Sequence, residues 1–217
     1  MRSDLRISWE IPATPPGLAG RLERFMGPGK SRSENAVETV GLLGCALLLA
    51  AGVWNSGAAR DWSTAQLVVV ALAGLDLIGG VLTNATNAAK RWYHRAGPAA
   101  RRARLLFVSA HLVHLAAMGL FVLDGDLDWT LGNAVLLLGG AVAVEFAPVR
   151  LRRPVAMAVF MAAVLVNLFW LPVATALAWF APLFFLKLLV CHLVPEAPLE
   201  EVRDTDADAH ADADADA

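Results

Sequence analysis

Six long apolar runs constrain this chain more than any other feature of its sequence. A helix needs about 20 mostly apolar residues to cross a bilayer, because the hydrocarbon layer is about 30 Å thick and each residue rises about 1.5 Å. None of the runs alternates with period two as a barrel strand would. A soluble helical bundle would need polar helix faces, and residues 134–144 offer none. The sequence therefore predicts an all-α, polytopic membrane protein with a six-transmembrane-helix bundle, its spans at 36–56, 64–86, 104–124, 129–148, 154–172 and 174–194. The alternative is that the short connection at 170–174 does not separate the last two spans.

Composition excludes several other classes of protein. Hydrophobic residues make up 57% of the 217 residues and charged residues 18%, against about 45–50% and about a quarter in soluble domains. This rules out a disordered chain, a disulfide-stapled miniprotein and a soluble enzyme. Cys45 and Cys191 lie within predicted spans, so we expect them to pack as small apolar groups rather than form a disulfide.

The basic residues of the connections predict the orientation of the spans. Sixteen of the 18 Lys and Arg residues fall before the first span, in the second and fourth connections, or after the sixth span. The other side has Arg60 alone, and Lys187 lies inside a span. Positively charged connections stay on the cytoplasmic side. We therefore expect a cell inner-membrane protein with several spans and with both termini cytoplasmic.

The two flanking segments differ in charge and character. Residues 1–35 are charged and interrupted by Pro and Gly, without the apolar core of a signal peptide, and predict a cytoplasmic arm with a short interfacial helix near 18–26. Residues 36–195 form the transmembrane domain. Residues 196–217 carry nine acids and one Arg, which predicts a disordered acidic cytoplasmic tail. The formal net charge of −2 hides this split, because residues 1–195 carry 17 basic and 11 acidic side chains.

Asp76 is the first candidate for chemistry, because it lies near the middle of the second span. A carboxylate at this depth costs about 2.5–3.5 kcal/mol even on permissive scales. We therefore expect it to face the bundle interior and to have a partner. At about 100° per residue, Gly80, Thr83 and Asn87 share its stripe, with Asn84 at the edge. A purely structural role, in which Asp76 hydrogen-bonds two helices together, is the alternative.

His111 and His114 in the third span complete the main candidate site. Residues three apart on a helix lie on one side, so both imidazoles can face one partner. Spans two and three run in opposite directions, which places Asp76 and the two His residues at about the same depth, about 10–15 Å from the cytoplasmic boundary. Three uses fit these residues: a divalent metal site, an acid/base pair or a proton relay.

Other polar residues in the spans extend the list of candidates. His192 is a possible fourth metal ligand, although its place near a helix end favours an interfacial location. A Glu145–Lys187 ion pair would neutralise two costly charges, or either side chain could snorkel to the interface. The remaining polar intramembrane candidates are Asn84, Asn87, Glu145, Asn167 and Lys187.

The second connection is dense in cations and amphipathic aromatics, with Lys90, Arg91, Trp92 and Arg95 close together. This composition predicts contact with anionic lipid headgroups at the cytoplasmic face, each basic residue contributing about 1 kcal/mol. A specific phosphate or headgroup site is the sharper hypothesis. Nucleic-acid binding is not indicated, because the topology already accounts for the positive charge. The sequence names no protein partner.

In one respect the chain resembles the superfamily of ceramidases and progestin/adiponectin receptors, which hold an intramembrane metal with three His near Asp and Ser. The resemblance implies that Asp76, His111, His114 and His192 supply a metal site for hydrolysis of an amide-linked lipid. The chain departs from that group in having six spans rather than seven and HxxH in the third span. Membrane cytochromes with two His ligands are a second analogy. Haem is the less favoured cofactor, because His192 lies at a shallower depth than the other two.

These observations leave three hypotheses for function. The first is metal-dependent or acid/base chemistry on a lipid-like substrate at Asp76, His111 and His114. The second is a small proton-coupled transporter or carrier that uses the same groups as a relay. The third is a non-catalytic membrane assembly subunit, in which the polar groups only hold helices together.

Overall fold

The computed structural model describes the backbone of residues 5–201 and the side chains of residues 6–199. Within this range six helical segments are long and apolar enough to cross a membrane, which confirms the all-α six-span bundle. The six spans and two shorter helices are numbered together in chain order, from α1 to α8. The spans are α2 (Arg32–Asn55), α3 (Thr64–Ala85), α5 (Pro98–Val122), α6 (Leu127–Phe146), α7 (Val149–Phe169) and α8 (Thr175–His192).

Two short α-helices, one 3₁₀ turn (Ala58–Arg60) and one pair of strands lie outside the spans in the described part of the chain. Helix α1 (Gly17–Met26) lies where the sequence predicts a short helix, and α4 (Asn87–Tyr93) follows α3. Strand β1 (Leu5–Ile7) pairs antiparallel with β2 (Leu199–Glu201). The two ends of the described chain therefore meet on one side of the bundle, here called the basic end. Residues 202–217, which hold most of the predicted acidic tail, lie outside the described residues.

Local sequence signals set the start of several helices. Ser31 and Glu34 form a capping box at the start of α2, and Ser63 and Gln66 form another at the start of α3. In each, the Ser hydroxyl accepts a hydrogen bond from a first-turn N–H, and the Glu or Gln side chain accepts one from the Ser backbone. Asp126 caps α6 through the Trp129 N–H at 2.9 Å. The third span begins at Pro98, six residues before the predicted start, and Pro is well suited to a first helical turn.

Helices α5 and α8 are irregular where they face α3. In α5, His111 occupies a turn after Pro98–Ala110, and the helix ends in a π-helical segment, Ala117–Val122. In α8, the segment Leu186–His192 is also π-helical. π-Helical turns are rare and occur frequently at functional sites. Both irregular segments adjoin polar residues that the sequence analysis singles out.

The core lies among α3, α5, α6 and α8. Phe180, Phe184 and Phe185 of α8 are fully buried, and Phe180 packs against Trp129 of α6 with ring centroids 5.7 Å apart. Helix α2 lies at the periphery and has no buried residue. Helix α2 therefore covers one side of the bundle, against α3.

Candidate functional site

The candidate site is a cluster in which three spans meet at one carboxylate oxygen. Oδ2 of Asp76 lies 2.6 Å from Nζ of Lys187 on α8 and 3.0 Å from Nε2 of His114 on α5. Nε2 of His111 lies 3.8 Å from the same oxygen. The structure thus brings together Asp76, His111 and His114 as the sequence predicts. It adds Lys187 as the partner that a carboxylate inside a span needs.

A glycine makes room for the lysine. A Cβ atom at Gly80 would lie 2.2 Å from Cε of Lys187 and 2.8 Å from its Nζ. The Lys187 side chain therefore crosses α3 at Gly80, one helical turn after Asp76, where the glycine has no side chain to obstruct it. The side chain itself is only 2% exposed, so its ammonium depends on Asp76 for compensation.

The two histidines are oriented differently. Nδ1 of His111 lies 2.8 Å from the Phe107 carbonyl oxygen, which identifies Nδ1 as the protonated nitrogen and leaves an Nε2 lone pair on the Asp76 side. The rings of His111 and His114 are stacked, with centroids 4.8 Å apart. Nδ1 of His114 is buried, and no hydrogen-bond partner for it occurs among residues 5–201. His114 therefore depends on its Nε2–Asp76 contact for orientation.

Asp76 is the most exposed member of this cluster, with 41% of its side chain accessible, against 22% for His114 and 8% for His111. The sequence predicts that this carboxylate faces the bundle interior. In the structure it lies instead at the edge of the helix bundle, with its partners on the inner side. A molecule that approaches the cluster from outside the bundle would therefore meet Asp76 first.

Two cavities meet at Asp76. The first, about 290 Å³, lies toward the basic end, and its polar lining includes Thr83, Asn84 and Lys187. Phe25 of α1 also lines it, so the short helix closes part of this cavity. The second, about 420 Å³, lies between α3 and α5. Its apolar lining consists of Val69, Leu72, Ala73, Val113, Ala117 and Met118, beside Asp76 and His114. Asp76 thus lies between a cavity whose lining is mixed and one whose lining is almost wholly apolar.

The cluster also has ligand atoms at spacings that suit a metal ion. One ligand atom from each of Asp76, His111 and His114 lies within 4.8 Å of the others. In a tetrahedral zinc site with bonds of about 2.0–2.1 Å, neighbouring ligand atoms are about 3.4 Å apart, and the measured 3.0 and 3.8 Å lie on either side of this value. The Lys187 ammonium beside Oδ2 opposes a cation there, because it would repel it at short range.

The predicted Glu145–Lys187 pair is wrong, and neither side chain snorkels out of the protein. Glu145 is fully buried, and Arg104 holds both of its carboxylate oxygens, through Nε at 3.1 Å and Nη2 at 2.5 Å. Arg152 donates to the Glu145 carbonyl oxygen at 2.8 Å. The position of a charge along a span gives its depth but not which neighbouring helix supplies its partner. Arg104 on α5 binds Glu145, whereas Lys187 on α8 binds Asp76.

His192 lies outside the Asp76 cluster. It is 1% exposed, its Nδ1 is 3.1 Å from Oδ1 of Asn84, and its ring stacks on Phe107 at 4.2 Å. Phe107 in turn contacts the His111 ring at 4.7 Å. An aromatic side chain therefore lies between His192 and the cluster, and the predicted fourth ligand position is not formed. His192 is buried in the protein rather than placed at a lipid interface.

The remaining polar candidates have structural partners. The Asn87 amide donates to the Leu199 carbonyl oxygen at 2.8 Å, which ties α4 to the β2 segment. Asn167 exchanges two hydrogen bonds with Asn133, at 2.8 and 3.2 Å, and both side chains are buried. Asn133 is not among the polar residues predicted from the sequence, although its position within an apolar span is the same signal that identifies Asn167.

The chain matches no known protein family, and comparisons with curated proteins and with solved structures found no similar protein, so a functional assignment rests on the site itself.

Proposed function

We propose that this protein is a membrane-embedded enzyme that performs acid–base chemistry on the polar link of a lipid-like amphiphile, with Asp76 and His111 as the acid–base pair. One observation carries the proposal: the exposed carboxylate lies where a cavity of mixed polar and apolar lining meets an almost wholly apolar one. An amphiphile has the same division. Its headgroup would contact the polar side chains of the first cavity, its chain would lie along the apolar lining of the second, and its polar link would lie beside Asp76.

The partners of Asp76 keep it ionised and fix its position. The Lys187 ammonium favours the ionised carboxylate by direct charge and by its 2.6 Å hydrogen bond. His114 adds a second contact to the same oxygen at 3.0 Å. A carboxylate held in this way stays ionised and stabilises positive charge on a neighbouring imidazole, so the Nε2 lone pair of His111, 3.8 Å away, is the group that takes a proton from a water molecule or a hydroxyl group. Positioned acid–base groups of this kind contribute about 10²–10⁴-fold to a rate.

The positive charge of the connections supports a proposed orientation with the basic end in the cytoplasm of a cell with an inner membrane. The cavity of about 290 Å³ at Asp76 would then open toward the cytoplasmic leaflet. A reporter active only in the periplasm, fused after Pro195, should be inactive. The same reporter inserted after Gly125 should be active, and the opposite result at both sites would reverse the orientation.

The activity is testable with purified full-length protein in vesicles that contain an ester-linked and an amide-linked lipid. Mass spectrometry of the lipids should detect a product with the wild type, and Asp76→Asn should lower its rate by about 10²-fold or more. Asp128→Asn is the matched control, because Asp128 is an exposed carboxylate in the first turn of α6. Equal rates for the two variants, or no product from either lipid, would contradict the proposal.

A divalent metal centre is the second candidate, because of the ligand spacings at Asp76, His111 and His114. In that case the protein purified without chelators would contain about one equivalent of metal. Removal of the metal would abolish the activity, and His111→Ala would lower the metal content. Under the acid–base proposal the chelator leaves the rate unchanged.

A further inference from the structure

A second cavity at the basic end differs from those at Asp76 in its charge. It measures about 550 Å³ and lies between the start of α5, the start of α7 and the segment after α8. Four arginines line it: Arg95, Arg101, Arg104 and Arg152. The described residues that line it include no acidic side chain. His94 and Trp9 complete its polar rim.

The positive charge of this cavity exceeds what its one buried acid can balance. Glu145 lies beneath the cavity and is bound by Arg104, with Arg101 Nε at 3.5 Å and Arg152 Nη2 at 3.7 Å from Oε1. One carboxylate therefore faces three guanidinium groups. Arg95 adds a fourth positive charge, and it lies over the Trp92 ring at 4.1 Å. The cavity keeps an excess of three positive charges.

The start of α5 adds to this positive field. Gly97 and Pro98 line the cavity, and the N-terminus of α5 has no side-chain cap. The N-terminal end of a helix carries a partial positive charge and favours anions. Arg101 is the guanidinium group most available to a ligand, because 52% of its side chain is exposed, against 7% for Arg104 and 10% for Arg152.

We infer that this cavity binds a phosphate group, with Arg101 and Arg95 as the contacting residues and Arg104 and Arg152 holding the base of the site through Glu145. The planar guanidinium group of an arginine can donate two parallel hydrogen bonds to the oxygen atoms of a phosphate. The volume exceeds that of a bare phosphate, so the ligand carries a further group. A phospholipid headgroup and a soluble phosphate compound share this chemistry. The inference is independent of the activity proposed at Asp76.

Two neighbouring arginines provide the test. Arg101→Gln removes a contacting residue, and Arg102→Gln is the matched control, because Arg102 is exposed on the same helix turn and does not line the cavity. Detergent-purified protein is titrated with phosphatidic acid, and with diacylglycerol as the phosphate-free lipid, by native mass spectrometry. Thermal unfolding is measured in inorganic phosphate and in chloride at equal ionic strength.

The wild type should bind phosphatidic acid in preference to diacylglycerol, and Arg101→Gln should weaken that binding about ten-fold or more, as expected for a charge-assisted pair. Arg102→Gln should change it less than about two-fold. Stabilisation by inorganic phosphate that Arg101→Gln removes would identify phosphate itself as sufficient, whereas an effect with phosphatidic acid alone would identify a lipid ligand. Equal binding of the two lipids, or equal losses in the two variants, would overturn the inference.

Discussion

The Lys187 ammonium donates a hydrogen bond of 2.6 Å to the Asp76 carboxylate, across 111 residues of sequence and between the second and sixth spans. The contact joins α3 to the π-helical part of α8 beside the paired histidines. It therefore has two consequences. It compensates two charges inside the span region, and it sets the charge state of the carboxylate that faces both cavities.

The first prediction concerns the stability of this pair. Lys187→Met leaves the Asp76 carboxylate without its cation, and removal of one member of a buried pair is strongly destabilising. We expect a loss on the order of 3 kcal/mol, toward the lower end of the usual range because Asp76 is partly exposed. Unfolding in mixed micelles with increasing dodecyl sulfate measures this loss.

The double variant Asp76→Asn with Lys187→Met supplies the control for this prediction. It removes both charges, so its loss of stability should be smaller than the sum of the two single losses. Additive losses would mean that the two side chains do not interact energetically.

The architecture and the membership of the Asp/His cluster were predictable from sequence, for simple physical reasons. The length of an apolar run is set by the bilayer, so the spans could be counted. The proximity of Asp76 to His111 and His114 was predictable because adjacent antiparallel spans bring residues at equal depth into contact. The depth of Lys187 was also predictable from its position in the sixth span. That depth is compatible with either Asp76 or Glu145 as its partner.

The choice between these partners depends on packing that one sequence does not encode locally. Lys187 reaches Asp76 because Gly80 leaves space for its side chain, and Glu145 is already bound by Arg104. The exposure of Asp76 also could not be predicted, because it depends on where α3 and α5 leave a gap. Long-range contacts of this kind require the arrangement of the helices, which periodicity does not give.

A second prediction compares two adjacent glycines. Gly80→Ala places a Cβ atom 2.2 Å from Cε of Lys187, so the lysine must move and its contact with Asp76 lengthens. A Cβ atom at Gly79 meets Leu42 at an ordinary 3.8 Å. We expect Gly80→Ala to lower both the thermal stability and the rate of any lipid conversion. Gly79→Ala should retain both the stability and the rate. Equal stabilities and equal rates for the two variants would contradict the close packing of Lys187 on Gly80.

A third prediction concerns metal affinity. With Lys187 protonated and Asp76 ionised, the cluster has no net charge, and the ammonium repels a cation at Oδ2. Lys187→Met removes this repulsion and leaves one negative charge beside His111 and His114. The variant should therefore bind zinc more tightly than the wild type, by about ten-fold or more, in competition with a fluorescent chelator. A wild type that binds zinc as tightly as the variant would favour the metal centre over the acid–base centre.

A fourth prediction follows from His94, which lies outside the spans. Burial, reinforced by the positive charges of Arg104 and Lys90, lowers the pKa of His94 to about 3 from its usual 6.5. The folded protein therefore resists protonation of this ring, while the unfolded chain takes up the proton below about pH 6.5. Stability from this residue is fully present above that pH and falls by up to about 1.4 kcal/mol for each pH unit between 6.5 and 3.

His94→Gln tests this dependence, because glutamine does not titrate and its amide can still donate to the His192 carbonyl oxygen, which His94 Nε2 contacts at 3.0 Å. Between pH 7.5 and pH 5.0 the wild type should lose about 2 kcal/mol more than the variant, measured by unfolding in detergent at both pH values. The other histidines are common to both proteins, so their effects cancel in this comparison. Identical losses in the two proteins would show that His94 is protonated equally in the folded and unfolded states, and that its burial does not exclude the charged form.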